Sequence, residues 1–478
     1  QKRWEEKLKE PEDHTDETAP PEIGEQIASC QFGKTLTPSE LDQVVQLLWS
    51  KWRVFPTKKR PCGLTIGFEH AIDLTDPRPV THAPYRTSWA ARCFIRENVE
   101  KMLGQDVVEK CSSPYSSPVV LAAKKDGEVR FCVNYKGLNA KTVRDVYPLP
   151  NIRDTLDRLG KAKYYTAMDA QSGFWQVPLA EKDRDKTAFV TQDAGMYRYK
   201  VMPYGLSNAS ATFQRMMETI LGSHLQSIAL VYIDDIIIYS NTFEEHLESV
   251  STILDIMIKA GITVKGKKCQ FGLEEILFLG HVIGPGGAKM DPAKISAIKD
   301  TRPPRNLKDL MSFLGLTGYY RIFILGYSMI CEPLFALCKK TAKWRWGEAE
   351  QACFDKLKTI MTTDPVLAHF DPEKRCEIRT DACLEGIGAV LVQDKRIVSC
   401  ASRRLNAAEK NYTITELECL ACVFGVTKFK QYVDYTEFDL VTDHSALTWM
   451  LQLTSQMTAN ARVNRWALAL AGYNYKLL

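Results

Sequence analysis

The segment VYIDDIIIYS, residues 231–240, constrains the fold of this chain more than any other. Asp234 and Asp235 sit between two β-branched apolar runs, residues 231–233 and 236–238. Such runs read as strands, and an Asp pair between them reads as a hairpin turn. On these ten residues alone an ordinary surface turn is an equally good reading. Upstream, Asp169 closes a second apolar strand, YYTAMDA, and Phe174 follows five residues later. One acid at a strand end facing two acids at a hairpin tip can hold two divalent ions. Two such ions, about 3.5–4 Å apart, clamp the attacking and leaving oxygens of a phosphoryl transfer. A polymerase needs that arrangement.

YIDD resembles the YxDD box of reverse transcriptases, and the surrounding words resemble the gypsy class of LTR retrotransposon polyproteins. SSPYSSPVVLAAKKDGEVRFCVNYKGLN, YPLPNIRDTLDRL, MDAQSGFWQVPL, KTAF, MPYGLSNASATFQ, KCQFG, FLGHVI and FLGLTGYYRIFI occur in that family's order. RTDACLEGIGAVL, NYTITELECLA and VTDHSALTW resemble its ribonuclease H domain. The likeness runs from about residue 66 to the C-terminus.

Composition is compatible with this family. A chain of 478 residues has room for two to four domains with ample core. Its 14 cysteines are scattered without paired spacing, which reads as free thiols in a reducing compartment. The single CxxC, Cys419 to Cys422, lies in a helical pattern without a second pair and reads as core packing. No apolar run approaches the length of a membrane-spanning helix. The net charge of +4 is too small to identify a nucleic-acid partner, but its distribution is uneven. Residues 1–25 carry nine acids and four bases, a net of −5, which leaves +9 for the rest. Residues 265–309 carry nine Lys and Arg against five acids. Most such runs are solvated faces. Coming after the polymerase motifs, this one reads as a phosphate-binding stretch.

The chain divides by pattern into five parts. Residues 1–65 read as an acidic tail without a core to about residue 30, then a lead-in helix from Thr37 with Ser39 as N-cap. Residues 66–285 resemble fingers and palm, with GPGG at 284–287 as a break. Residues 286–340 resemble the thumb, with Pro303 and Pro304 separating two helices. Residues 341–369 read as a linker helix, and residues 370–478 as the ribonuclease H domain. The fold class expected is α+β: a right-hand, fingers–palm–thumb polymerase followed by a ribonuclease H-like α/β domain.

The resemblance assigns residues in the polymerase half. Asp169, Asp234 and Asp235 are the catalytic, metal-binding set, with Asp235 placed less firmly than the other two. Arg130, in RFCVNYKGLN, matches the family's triphosphate-binding arginine; Lys125 is the better match for its lysine, with Lys124 as the alternative. Phe174 matches the aromatic that packs under the sugar and excludes a 2′-hydroxyl, which points to deoxynucleotides. Its plain alternative is a core aromatic beside Trp175. Tyr204 and Gly205 match the segment against the incoming base. Ser210 stands where the family usually has proline. Tyr232 should lie near the primer terminus, or be a strand core aromatic. Gly280 and His281, in FLGH, match the hairpin that grips the primer; a satisfied turn histidine is the alternative for His281.

In the second half the resemblance gives Asp381, Glu418 and Asp443 as the catalytic, metal-binding acids, each at a strand end or on a helix. Glu416 competes with Glu418, but E-C-L-A starting at Glu418 fits the family's E-L-x-A. The family's fourth acid has no counterpart before Leu478, so weak ribonuclease H activity is expected of the sequence as it stands.

These readings imply an RNA- and DNA-directed DNA polymerase with a ribonuclease H domain. The expected cofactor is Mg2+, two ions per active site, with Mn2+ as the alternative ion. The expected partners are dNTPs and an RNA or DNA template with its primer, held mostly through phosphate and sugar, with no membrane. Monomer and dimer are both open. The expected location is the cytoplasm, in virus-like particles, with access to the nucleus. The rival reading is an inactive structural or nucleic-acid-binding subunit of a reverse transcriptase dimer.

Overall fold

The strand Tyr164–Asp169 is the middle strand of a five-stranded sheet ordered Gln31–Phe32, Gln270–Leu273, Tyr164–Asp169, Asp235–Ser240, Ala229–Tyr232. In the computed structural model, described over residues 18–123, 129–160, 162–193, 195–363, 365–444 and 461–478, the chain separates into two units. One takes in the chain up to Thr155 and Ala162–Glu274; the other takes in Leu156–Lys161 and Glu275–Leu478.

In the first unit, period-2 alternation buries Met168, Ile236 and Ile238 in one apolar core. The helices Ala209–Leu221 and Phe243–Ala260 contribute Phe213, Met216, Met217, Ile253 and Leu254 to that core or its edge. The second helix has clear local signals. Thr242 and Glu245 form a capping box at its start, and Gly261, at φ +77°, ends it in the left-handed conformation. A second sheet is ordered Val108–Lys110, Gly195–Tyr199, Phe189–Thr191, Ser117–Ala123, Val129–Val133. The helix Trp89–Gly104 packs on it through Ile95, Val99 and Met102.

Three local expectations need correction. The segment read as coreless is folded from residue 22. The helix Glu22–Ala28 buries Ile23 and Ile27, and Gln31–Phe32 pairs in parallel with Gln270 and Phe271. Its acidic composition hid an i, i+4 apolar pair. The lead-in helix is capped by Thr37, not Ser39, because Pro38 takes the first helical position and Thr37 forms a capping box with Glu40. The glycines at 284–287 are a hairpin tip: Gly284 pairs with Gly287 across it.

The second unit begins with that three-stranded meander, Ile276–Phe278, His281–Gly284 and Gly287–Met290. Helices Pro292–Asp300, Leu307–Tyr319 and Glu348–Thr362 share a core of Ile298, Leu310, Phe313, Phe354 and Leu357. Residues 303 and 304, both proline, lie between the first two of these helices. The C-terminal sheet is ordered Arg396–Arg404, Gly386–Gln393, Cys376–Ala382, Glu437–Val441, Asn474–Leu477. Its first three strands pair antiparallel and the rest parallel. The helix Ile414–Lys428 lies on this sheet. Cys419 and Cys422 are buried in the core there, and both are free thiols. Among the described residues no helix is long and apolar enough to cross a membrane.

Gly425 lets that helix approach closely. A Cβ there would stand 2.9 Å from Thr380, 3.0 Å from Ile378 and 3.1 Å from Ala389. Gly425→Val should therefore destabilise this region by about 1–3 kcal/mol through overpacking. Thermal unfolding of the full chain checks this, with an unchanged profile counting against the close contact.

Candidate active sites

The antiparallel register sets Asp169 directly opposite Asp235, and Tyr232 opposite Asp235 on the other side. Asp234 occupies the turn between the strands Ala229–Tyr232 and Asp235–Ser240. Like charges facing each other across a sheet are destabilising, so a dedicated scaffold must hold them. The turn itself is strained: Ile233 has φ +54°, costly for a β-branched residue. Gln214, fully buried, clamps it. Its Oε1 accepts the Ile233 N–H at 2.7 Å, and its Nε2 donates to the Val231 carbonyl at 3.1 Å and to Glu218 at 2.7 Å.

Asp234 carries the electrostatic signature of the site. Its carboxyl is pushed up to about 6 by burial, then by Asp169 and Asp235, with Lys268 opposing. Its Oδ1 is buried without a hydrogen-bond partner. The Asp235 carboxyl is shifted upward by partial desolvation and by Asp169. Asp169 Oδ2 accepts Lys268 Nζ at 2.7 Å. Among the described residues no group of three acid, His or Cys side chains stands ready to hold an ion as placed. The donor chemistry nevertheless fits a hard divalent cation. Three carboxylates repel one another, and one of their oxygens is buried and unpaired.

Around the acids, Gly173 is a residue that sequence reasoning missed. A Cβ on it would lie 2.9 Å from Asp234 Oδ1 and 3.2 Å from Phe213. Phe174 and Trp175 are both on the 3-10 turn Gly173–Gln176, and both are half-buried. The Phe174 ring lies 5.1 Å from that of Tyr204 and 5.8 Å from that of Phe213. Tyr204 keeps an exposed edge, and its hydroxyl is pushed well up by burial and then by Asp234. Gly205 has φ +96°, and its carbonyl accepts from Asn139 Nδ2 at 2.8 Å. Arg130 is exposed on the strand Val129–Val133. Lys124 and Lys125 lie outside the described residues.

The FLGH segment is the turn between Ile276–Phe278 and His281–Gly284. Leu279 and Gly280 both have positive φ, +47° and +75°. Their carbonyls accept from the hydroxyls of Tyr319 and Tyr320 at 2.5 and 2.6 Å. His281 is buried among Tyr319, Tyr320 and Phe323, with centroids 5.4–5.8 Å away. Burial lowers its pKa to about 4. The histidine thus packs the hairpin, while the Leu279–Gly280 turn is the part left at the surface.

In the C-terminal sheet, Asp381 is the exposed penultimate residue of Cys376–Ala382, and Asp443 is exposed two residues beyond Glu437–Val441. Glu418 is buried on the helix Ile414–Lys428. Its carboxyl is pushed up to about 7 by burial, then by Asp443 and Asp381. Its Oε1 accepts the Ala382 N–H at 3.3 Å, and its Oε2 is buried without a partner. Glu416, the competing glutamate, is also buried. It closes a capping box with Thr413 and accepts Arg462 at 2.8 Å. The geometry therefore groups Glu418, not Glu416, with the two aspartates.

Comparison with known proteins agrees with both halves. Residues 122–283 match the family "Reverse transcriptase (RNA-dependent DNA polymerase)", and residues 371–473 match "RNase H-like domain found in reverse transcriptase". The chain is 37% identical over 419 residues to the retrovirus-related Pol polyprotein from transposon 297 of Drosophila melanogaster, covering 86% of this chain and 39% of that protein. It is 32% identical over 444 residues to the Pol polyprotein from transposon gypsy of the same organism, covering 89% and 42%. The chain thus spans about two fifths of the length of these curated relatives. Among solved structures, a foamy viral protease-reverse transcriptase in complex with double-stranded DNA is similar at TM-score 0.84 and 21% identity, covering 95% of this chain and 81% of that one. Another, in complex with an RNA/DNA hybrid, is similar at TM-score 0.78 and 22% identity, covering 95% and 62%. At this identity the likeness shows the fold.

Two predictions follow from the turn and its charge. Gln214→Leu leaves the Ile233 N–H without a partner. It should cost about 1–3 kcal/mol of stability, read by urea denaturation of the full chain. Wild-type stability of the variant would refute the clamp. The second concerns pH. Asp234 is raised from 3.8 to about 6 in the folded chain, so below about pH 4 it is protonated in both states and has no effect. Between pH 4 and 6 the unfolded chain ionises first, and metal-free stability falls by up to about 3 kcal/mol as pH rises. Urea titrations in chelator should show this slope shrinking in Asp234→Asn, which should be the more stable protein at pH 7.5.

Proposed function

The chain belongs to the reverse transcriptase and ribonuclease H region of gypsy-type LTR retrotransposon Pol polyproteins, and on that premise we propose that it is an RNA- and DNA-directed DNA polymerase that also cuts RNA in RNA–DNA hybrids. The observation that carries the polymerase reading is the placement of Asp169, Asp234 and Asp235 at the ends of two facing strands, around a buried, unpaired carboxylate oxygen.

Asp169, Asp234 and Asp235 would hold the divalent ions of the polymerase site, and Asp381, Glu418 and Asp443 those of the nuclease site. Ions bound there supply activation of the attacking oxygen and neutralisation of phosphate charge. The remaining work belongs to the chain. Gln214 fixes the turn, and Gly173 leaves Asp234 its room. Phe174, braced by Tyr204 and Phe213, offers a rigid face to a sugar and no space for a 2′-hydroxyl. Gly205, locked by Asn139, permits close backbone approach to a base. Arg130 offers a guanidinium to phosphate, with a lysine of the 124–125 pair as its partner. The Leu279–Gly280 turn, fixed by two tyrosine hydroxyls, would contact a primer backbone. The substrates on this reading are dNTPs and a primed RNA or DNA template.

Primer extension, duplex binding and hybrid cleavage on paired variants test this reading against a structural-subunit role. Asp234→Asn should abolish extension, keep duplex affinity within about threefold because phosphate contacts remain, and leave cleavage intact. Glu418→Gln should do the reverse: extension kept, cleavage lost. Extension by Asp234→Asn at the wild-type rate, or a wild-type chain inactive in extension, would remove the polymerase assignment.

Sugar choice is tested separately. Phe174→Val should raise kcat/KM for rNTPs relative to dNTPs by about 10-fold or more, since a void replaces the blocking ring. An unchanged ratio in a folded variant would make Phe174 a packing residue only.

A further inference from the structure

Lys268 is held by its backbone, while its side chain lies at the surface. It ends the short turn Gly266–Lys268, which leads into the sheet strand Gln270–Leu273. Just upstream, the Lys265 N–H donates to the Asp169 carbonyl at 3.0 Å. Cys269, fully buried, donates its Sγ–H to the Lys265 carbonyl at 3.3 Å. Behind the turn, Gly266 presses on the N-terminal helix: a Cβ there would lie 2.5 Å from the Gln26 carbonyl. The side chain is 55% exposed, yet its ammonium reaches Asp169 Oδ2 at 2.7 Å. The same charge acts favourably on Asp234 and Asp235.

An exposed ion pair on an ordinary surface contributes little. This one differs in its partner. Asp169 is one of three carboxylates that must lie together before divalent cations arrive. The cation acting on all three comes from a turn bonded to the backbone of Asp169 itself.

We propose that Lys268 is the built-in counter-ion of the metal-free carboxylate cluster, seated on Asp169 and exchanged for the divalent cation when the site loads. This inference rests on the reading of Asp169 as a metal ligand. The side chain's exposure gives it somewhere to go, and the anchored backbone returns it when the cation leaves. Two consequences follow. The empty cluster is less repulsive than three bare carboxylates, and cation binding is weakened because it must displace an ammonium.

Mn2+ binding to the full chain, read by the paramagnetic signal of free Mn2+, tests this. An Asp381→Asn background reduces the contribution of the second acid cluster. Lys268→Met and Lys268→Gln should each bind Mn2+ about three- to fivefold more tightly, and Lys268→Arg should stay near wild type. In parallel, Mn2+ should raise the melting temperature of Lys268→Met by more than it raises that of wild type, because the metal-free form alone is weakened. Equal or weaker Mn2+ binding by both neutral variants, with Asp169→Asn binding less than wild type, would overturn the counter-ion role alone. Asp169→Asn binding Mn2+ as well as wild type would instead overturn the metal-ligand reading beneath it.

Discussion

The structure of the first unit is organised around an unfavourable interaction. Antiparallel pairing sets Asp169 against Asp235, with Asp234 one residue away on a strained turn. A one-residue slip would separate these acids onto opposite faces, so the register must be enforced elsewhere. The apolar residues of both strands enforce it: Met168, Ile236 and Ile238 reach the core only in this register. Gln214 supplies the hydrogen bonds the turn lacks, and Lys268 supplies a positive charge. The hydrophobic core thus holds together charges that would otherwise move apart.

The C-terminal sheet meets the same difficulty with a different device. Its acids come from two strands and a helix, and the buried member, Glu418, has one oxygen tied to the Ala382 N–H and the other unpaired. Gly425, two turns along the same helix, allows the close approach that carries Glu418 to the sheet. In each cluster an acid with a buried, unpaired oxygen, Asp234 or Glu418, has its carboxyl pushed up, because desolvation and like charge act on it together.

What could be read from the sequence follows from the range of the interactions involved. Strand patterns around Asp169 and Asp234, and the Pro-Pro break between two helices, are local and were legible. The choice of Glu418 over Glu416 was legible from motif spacing, but the burial of Glu416 was not. It depends on Arg462, 46 residues away. Gln214 was invisible because its partners lie 17 and 19 residues downstream. A signal did exist: an amide between Phe213 and Met216 on an apolar helix face needs buried partners. The 3-10 turn that carries Phe174 was not legible from its apolar neighbours. Gly173, which starts a 3-10 turn there, was the overlooked sign.

The parallel pairing of Gln31 with Gln270 joins residues 239 apart in the chain. Such a contact cannot form until most of the unit has been made. At ribosomal speeds of about 5–20 residues per second, the first strand waits roughly 12–48 s for its partner. During that interval Ile23 and Ile27 have no core to enter, and the edge of strand Gln31–Phe32 is unpaired. That strand is only two residues long and the segment before it is acidic, two features that disfavour edge-to-edge pairing with another chain.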